Sequence, residues 1–370
     1  MNTAARPKPA PAQADVARVM ICDDSAVIRG AIGRMLESDA GVRIVARVAN
    51  GRQAVAEVER QQIDVVVLDI EMPEMDGMQA LPLLLRADPG LRIIMASTLT
   101  TRGADVALRA LRLGAADYIP KPSTAAIADD SFRRELVAKV KGLARLRRRA
   151  AAPSAAMPAK PAVLTLRAAS AQRPSLLAIG SSTGGPQALF ALVQALGRAV
   201  PVPVVLTQHM PPAFTTLLAE HLGKLGGIAC SEARDGEAIE PGRLYLAPGD
   251  RHLLIEGATG RLRARLSDAP AENFCRPSVD PMLRSAVAAC GGRVLVVMLT
   301  GMGHDGLAGT REVVAAGGAA LAQDEATSVV WGMPGAIAQA GLCHKVLPLP
   351  MLAGAVLDLL SPRRLPEATA

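Results

Sequence analysis

Aromatic residues are scarce in this chain: one Trp, two Tyr and four Phe among 370 residues. Its cores must therefore be packed mainly by Leu, Val, Ile, Met and Ala. The five cysteines, Cys22, Cys230, Cys275, Cys290 and Cys343, include no C-x-x-C pair. That spacing excludes a zinc ribbon and a disulfide framework and leaves reduced, mostly structural thiols. No uninterrupted apolar run approaches the ~20 residues a helix needs to cross a bilayer. The opening residues "MNTAARPKPAPAQAD" lack the apolar centre of a signal peptide. The expectation is a soluble, cytoplasmic protein without membrane insertion. Histidine is limited to five residues, so a search for a general base is short.

Half the chain is hydrophobic, and at roughly 150 residues per domain its 370 residues imply two domains, each able to bury a core. The net charge of +7 would favour acidic partners if it sat on one face. Much of it lies in "FRRELVAKVKGLARLRRRA", which reads as a solvated helix end and linker rather than a nucleic-acid surface.

From Arg18, short apolar strands alternate with amphipathic helices: "RVMICDD", "VRIVARVAN", "DVVVLDI", "RIIMAST" and "ADYIPKP" are the strands, with five helices between and after them. That alternation predicts a doubly wound, five-stranded parallel α/β sheet over 17–143. An Ala-, Pro- and Arg-rich stretch over 144–174 reads as a flexible linker. A second α/β domain, 175–362, is built on "SLLAIG", "PVPVVLTQH", "RLYLAPG" and "RVLVVMLTG", a mostly parallel sheet with a hairpin addition at "HLLIEGATGRLRARL".

Open α/β sheets bind ligands at the carboxyl ends of their strands. In the first domain those ends carry Asp23 and Asp24, Asp69, Ser97, and Lys121 before a proline. Clustered carboxylates call for a hard cation, and Mg²⁺ accepts one or two of them together with phosphate oxygens. A carboxylate beside such a cation, with Lys and hydroxyl groups at hand, is placed for phosphorylation. With "EMPEMDG" after Asp69, residues 17 to 143 resemble the receiver domain of two-component response regulators. The resemblance implies that Asp69 accepts the phosphoryl group and that Asp23, Asp24 and Asp69 hold Mg²⁺. It assigns phosphoryl contacts to Ser97 and Lys121, with Thr98 the alternative hydroxyl, and makes Tyr118 the switch aromatic.

In the second domain, "SLLAIGSSTGGPQALFAL" breaks from strand into Ser and Gly and resumes as helix. Gly180 to Gly184 spell G-x-S-x-G between strand and helix, where a serine hydroxyl can stand exposed. The same turn can cap a helix; phosphate binding ranks lower without the usual spacings. A serine nucleophile needs a base oriented by a carboxylate. His209 ends the next strand, and "LTGMGHDG" places Asp305, with His304 a rival base, at a third glycine turn. A transcription regulator would need a DNA reader in the second half. The glycine turns stand there instead, and an intact Ser, His and Asp set argues against a non-catalytic scaffold.

Together, "IGSSTGGPQAL", "QHMPPAFT", "LAPG", "LTGMGHDG" and "AQDEATSVVWGMPGAI" behind a receiver resemble the chemotaxis response-regulator protein-glutamate methylesterase (CheB) family over nearly the whole chain. That resemblance implies a hydrolase that demethylates glutamyl methyl esters on methyl-accepting chemotaxis receptors, releases methanol and deamidates some glutamines. Ser182 is then the nucleophile, His209 the base and Asp305 its orienting carboxylate. Thr183 and the Met302 amide become the oxyanion donors. The esterase reaction needs no cofactor, a chemotaxis histidine kinase supplies the phosphoryl group, and phosphorylation activates the enzyme. Nucleic acid is not an expected partner.

Overall fold

The computed structural model describes residues 16–98, 100–121, 130–151, 164–168 and 172–361. These fall into two compact units, one holding strands β1–β5 and the other β6–β14.

In the first unit β1 (Ala17–Cys22), β2 (Val42–Val48), β3 (Val65–Asp69), β4 (Arg92–Ser97) and β5 (Asp117–Pro120) form one sheet in the order β2-β1-β3-β4-β5. Every pairing is parallel. The run Val65–Leu68 is buried on both faces, as a central strand of such a sheet requires. The intervening helices start on side-chain caps: Ser25, Asn50 and Asp76 accept from the amides of Ile28, Gln53 and Gln79. Asp76 and Gln79 close a reciprocal capping box at the end of the "EMPEMDG" loop. The last helix, Asp130–Ala151, runs through 144–151, which the sequence assigned to the linker. Arg147 and Arg148 on it pair with Asp88 at 2.6 Å and Asp64 at 3.1 Å. Part of the basic run is therefore neutralised within this unit. Much of the rest of that linker segment, and the N-terminal extension, lie outside the described residues.

The second unit holds a seven-stranded sheet in the order β14-β13-β12-β6-β7-β9-β8. Its strands are β6 (Leu176–Ser181), β7 (Val204–Gln208), β8 (Ala229–Glu232), β9 (Arg243–Leu246), β12 (Val294–Met298), β13 (Ala319–Gln323) and β14 (Lys345–Leu347). All its pairings are parallel. The expected hairpin is present as antiparallel β10 (His252–Ala258) and β11 (Arg261–Ser267). Strands β8, β13 and β14 extend the sheet beyond the four the sequence showed. From β6 the chain builds outward through β7 to β8 and β9, then returns to β12 on the other side of β6. The carboxyl end of β6 is thus the switch point at which a doubly wound sheet forms its crevice. No helix among the described residues is long and apolar enough to cross a membrane.

Candidate active site and receiver pocket

The turn after β6 carries two serines with different fates. Ser181 is fully buried, and its hydroxyl donates to Gln208 Oε1 at 2.7 Å. Gln208 then donates from Nε2 to the carbonyls of Ser182 and His209, each at 3.0 Å. One amide side chain thus locks the ends of β6 and β7 together. Gly185 makes room for it, since a Cβ there would come within 1.9 Å of Gln208 Oε1. Gly184, at φ +75°, completes a left-handed turn in which a Cβ would strike Val329. Ser182 is half-buried, and its hydroxyl has no hydrogen-bond partner among the described residues. It stands just before the N-terminus of the helix Gly185–Leu196, whose dipole favours developing negative charge there.

The third loop, after β12, closes against this turn. Ser182 N donates to the Thr300 carbonyl at 3.0 Å, and Thr300 Oγ1 donates to the Thr183 carbonyl at 2.9 Å. Thr183 is buried and Met302 half-buried. Neither the Thr183 hydroxyl nor the Met302 amide has an acceptor among the described residues.

Asp305 is almost fully buried at the far end of this loop, just before the next helix. Its Oδ2 bonds His209 Nε2 at 2.7 Å and accepts from Val279 N at 2.6 Å. Oδ1 accepts from Ser278 Oγ at 2.7 Å, Asn273 Nδ2 at 2.8 Å and Gly306 N at 2.8 Å. With the Asp280 amide at 3.1 Å, the carboxylate sits on the N-terminus of the helix Val279–Cys290. Burial pushes its pKa up, but the His209 bond and charge and the Val279 and Ser278 donors outweigh this and bring it down to about 2. Burial likewise opposes charge on His209, and the bonds to Asp305 and Cys275 overcome it, raising its pKa to about 10.

The structure therefore joins His209 to Asp305 and brings Ser182 to the adjacent strand end. No hydrogen bond links Ser182 to His209. The ring's other nitrogen, Nδ1, faces Cys275 Sγ at 3.3 Å. His304 is exposed, and the histidine paired with the buried carboxylate is His209. Gln208, Asn273, Cys275 and Ser278 were not singled out from sequence; only the run Asn273 to Asp280, between the hairpin and a helix, hinted at a loop with polar work to do.

In the first unit Asp23 and Asp69 are buried and Asp24 is exposed, and the three offer oxygens within 4.8 Å of one another. Asp23 Oδ2 is buried without a hydrogen-bond partner, an orphan that a cation would satisfy. The donor set is all oxygen, which fits Mg²⁺. Lys121 Nζ donates to Asp69 Oδ2 at 2.7 Å and lies 3.8 Å from Asp23. Burial, then repulsion from Asp23, raises the Asp69 pKa to about 6 despite that bond. Ser97 is buried at the end of β4 and Thr98 beside it is exposed. Tyr118 is buried, with Lys139 Nζ 5.6 Å from its ring centre.

Comparison with known proteins settles what carries these two sites. Residues 177–356 match the CheB methylesterase family model and residues 19–129 the response regulator receiver domain. A protein-glutamate methylesterase/protein-glutamine glutaminase of Paramagnetospirillum magneticum is 53% identical over 96% of this chain and 99% of its own. The chain belongs to the CheB methylesterase family. A relative of the same name from Rhodospirillum centenum, of a group 2 operon, is 55% identical over 90% of this chain and 92% of its own. The crystal structure of the Thermotoga maritima CheB methylesterase catalytic domain is 38% identical, covering 50% of this chain and 98% of that one, with a TM-score of 0.49. This CheB-family chain thus joins a receiver to a methylesterase domain, in that order.

Proposed function

We propose that this CheB-family enzyme hydrolyses glutamyl methyl esters on methyl-accepting chemotaxis receptors in the cytoplasm, and deamidates receptor glutamines, through Ser182, His209 and Asp305. A chemotaxis histidine kinase activates it by phosphorylating Asp69. The observation that carries the reading is the pairing of His209 with a buried Asp305 beside a turn that ties Ser181 to Gln208 and leaves the Ser182 hydroxyl unengaged.

In the reaction Ser182 Oγ gives its proton to His209 and attacks the ester carbonyl. Asp305 holds one ring nitrogen, so the proton passes through Nδ1, the nitrogen that faces Cys275 in this structure. The oxyanion forms against the Met302 amide and Thr183, and one such donor is worth about 10²–10³ in rate. His209 returns the proton to the departing methoxide, giving methanol and a glutamyl ester of Ser182. Water, deprotonated by His209, then releases glutamate and restores the serine. With an amide the first leaving group is ammonia.

In the receiver, Asp23, Asp24 and Asp69 would hold Mg²⁺, which offsets the charge of the phosphoryl oxygens. Lys121 and Ser97 bind those oxygens as the Asp69 carboxylate attacks phosphorus and the bond to the donor breaks, releasing the kinase histidine (or acetate from acetyl phosphate), and Tyr118 responds to the change. Asp69→Asn should abolish labelling by radiolabelled acetyl phosphate. Asp24→Ala should only weaken it, with partial recovery as Mg²⁺ is raised, because the other two carboxylates remain. Stable label in Asp69→Asn refutes the site. For the whole reading, methanol release from methylated receptor membranes is measured with and without a phosphodonor. The expected result is release by the full chain, stimulated about 5–150-fold if the coupling is typical, with no stimulation in Asp69→Asn. Absence of methanol under both conditions rejects the substrate assignment.

A further inference from the structure

The segment Glu272–Cys275 is a two-residue hairpin turn. Glu272 and Cys275 exchange both backbone hydrogen bonds, at 3.1 and 3.0 Å, and between them Asn273 and Phe274 have φ of 54° and 63°. Left-handed backbone is uncommon for a bulky residue and persists only where its surroundings dictate it. Here they do. Glu272 takes both ends of the Arg284 guanidinium at 2.7 and 2.6 Å. Asn273 Nδ2 donates to Asp305 at 2.8 Å and Asp280 at 2.9 Å. Cys275 Sγ lies 3.3 Å from His209 Nδ1, and Arg276 is anchored on Asp250 at 2.7 Å. The residues on either side of Phe274 thus each touch a member of the triad, while Phe274 itself is 102% exposed.

A lone exposed apolar side chain ordinarily needs no explanation. This one is held outward by a strained turn whose neighbouring residues touch Asp305 and His209, in a protein with seven aromatics in all. A glutamyl methyl ester offers little to recognise beyond its carbonyl and methyl group. Binding energy for a protein substrate must then come from the surface around the scissile group. A phenyl ring supplies contact area at low conformational cost.

Resting on the substrate reading above, we propose that Phe274 is the aromatic anchor by which the esterase site engages the polypeptide that carries the glutamyl ester. It packs on apolar side chains next to the target residue and sets KM for the protein substrate.

The test compares full-length variants on methylated receptor membranes and on p-nitrophenyl acetate, which carries no polypeptide for the ring to engage. Phe274→Gly removes the ring and keeps the left-handed turn. Its receptor KM should rise about 10-fold more than its KM for the small ester, the loss expected of one interface anchor. Phe274→Leu should recover most of that difference. An unchanged receptor KM in Phe274→Gly overturns the proposal. So does an equal loss on both substrates, which would mean that the ring acts on the triad through the turn. If the parent protein itself releases no methanol from receptors, the substrate reading fails first and this inference falls with it.

Discussion

His209→Ala is expected to lower methanol release by about 10⁴–10⁶, and the double variant His209→Ala, Ser182→Ala to be no worse, because triad members act as a unit. The size follows from chemistry. A serine hydroxyl at neutral pH is a weak nucleophile, and His209 lies at the neighbouring strand end with a ring already oriented by Asp305 at 2.7 Å. Exposed His304 has no such carboxylate contact, so His304→Ala should change the rate less than about 2-fold, as for a surface residue away from the chemistry. Single-turnover methanol release would check both; full activity in His209→Ala with loss in His304→Ala would reassign the base.

Asp305→Asn should lower kcat/KM by about 10³–10⁴, the order seen when a triad carboxylate is replaced. It should also move the pH profile, and the sign is fixed by the charges. His209 acts as a base only when neutral, and its pKa is raised to about 10 chiefly through its bonds to Asp305 and Cys275, against the effect of burial. Activity of the parent therefore climbs with pH well into the alkaline range. Removing the negative charge lets the imidazole lose its proton more easily, toward the ordinary value of about 6.5. The acid limb of kcat/KM then shifts to lower pH while its plateau falls. A plateau loss with an unmoved limb would show that Asp305 orients the ring without setting its protonation.

What was legible in the sequence was whatever a strand end announces. Buried parallel strands are continuous apolar runs, so "VVVLD" and "LLAIGS" expose where a chain leaves the sheet, and Asp69, Ser182, His209 and Asp305 all sit within a few residues of such exits. The strands that escaped were those with weak signatures: "ACSE" is short and half polar, "AALAQ" is mostly alanine and "KVL" is three residues long. The helix over 144–151 was hidden because its arginines read as solvent-facing, whereas Arg147 and Arg148 reach back to Asp64 and Asp88. The residues that hold the Ser182 turn and Asp305 were illegible for a different reason. Gln208, Asn273 and Ser278 are ordinary polar residues whose bonds to Ser182 and Asp305 span 26 to 32 positions. Only the folded loops bring them to Ser182 and Asp305. The strain at Asn273 and Phe274 has no sequence signature either, since neither position is glycine.

Of two adjacent serines, Ser181 and Ser182, only one can do the chemistry. Ser181 is spent on Gln208 and Ser182 is not, so the decisive measurement is the rate of methanol release from methylated receptors by Ser181→Ala and Ser182→Ala, assayed side by side with their folding verified by circular dichroism. Loss of release in Ser182→Ala, with substantial activity kept in Ser181→Ala, is the predicted result. Activity surviving in Ser182→Ala and vanishing in a well-folded Ser181→Ala would contradict it.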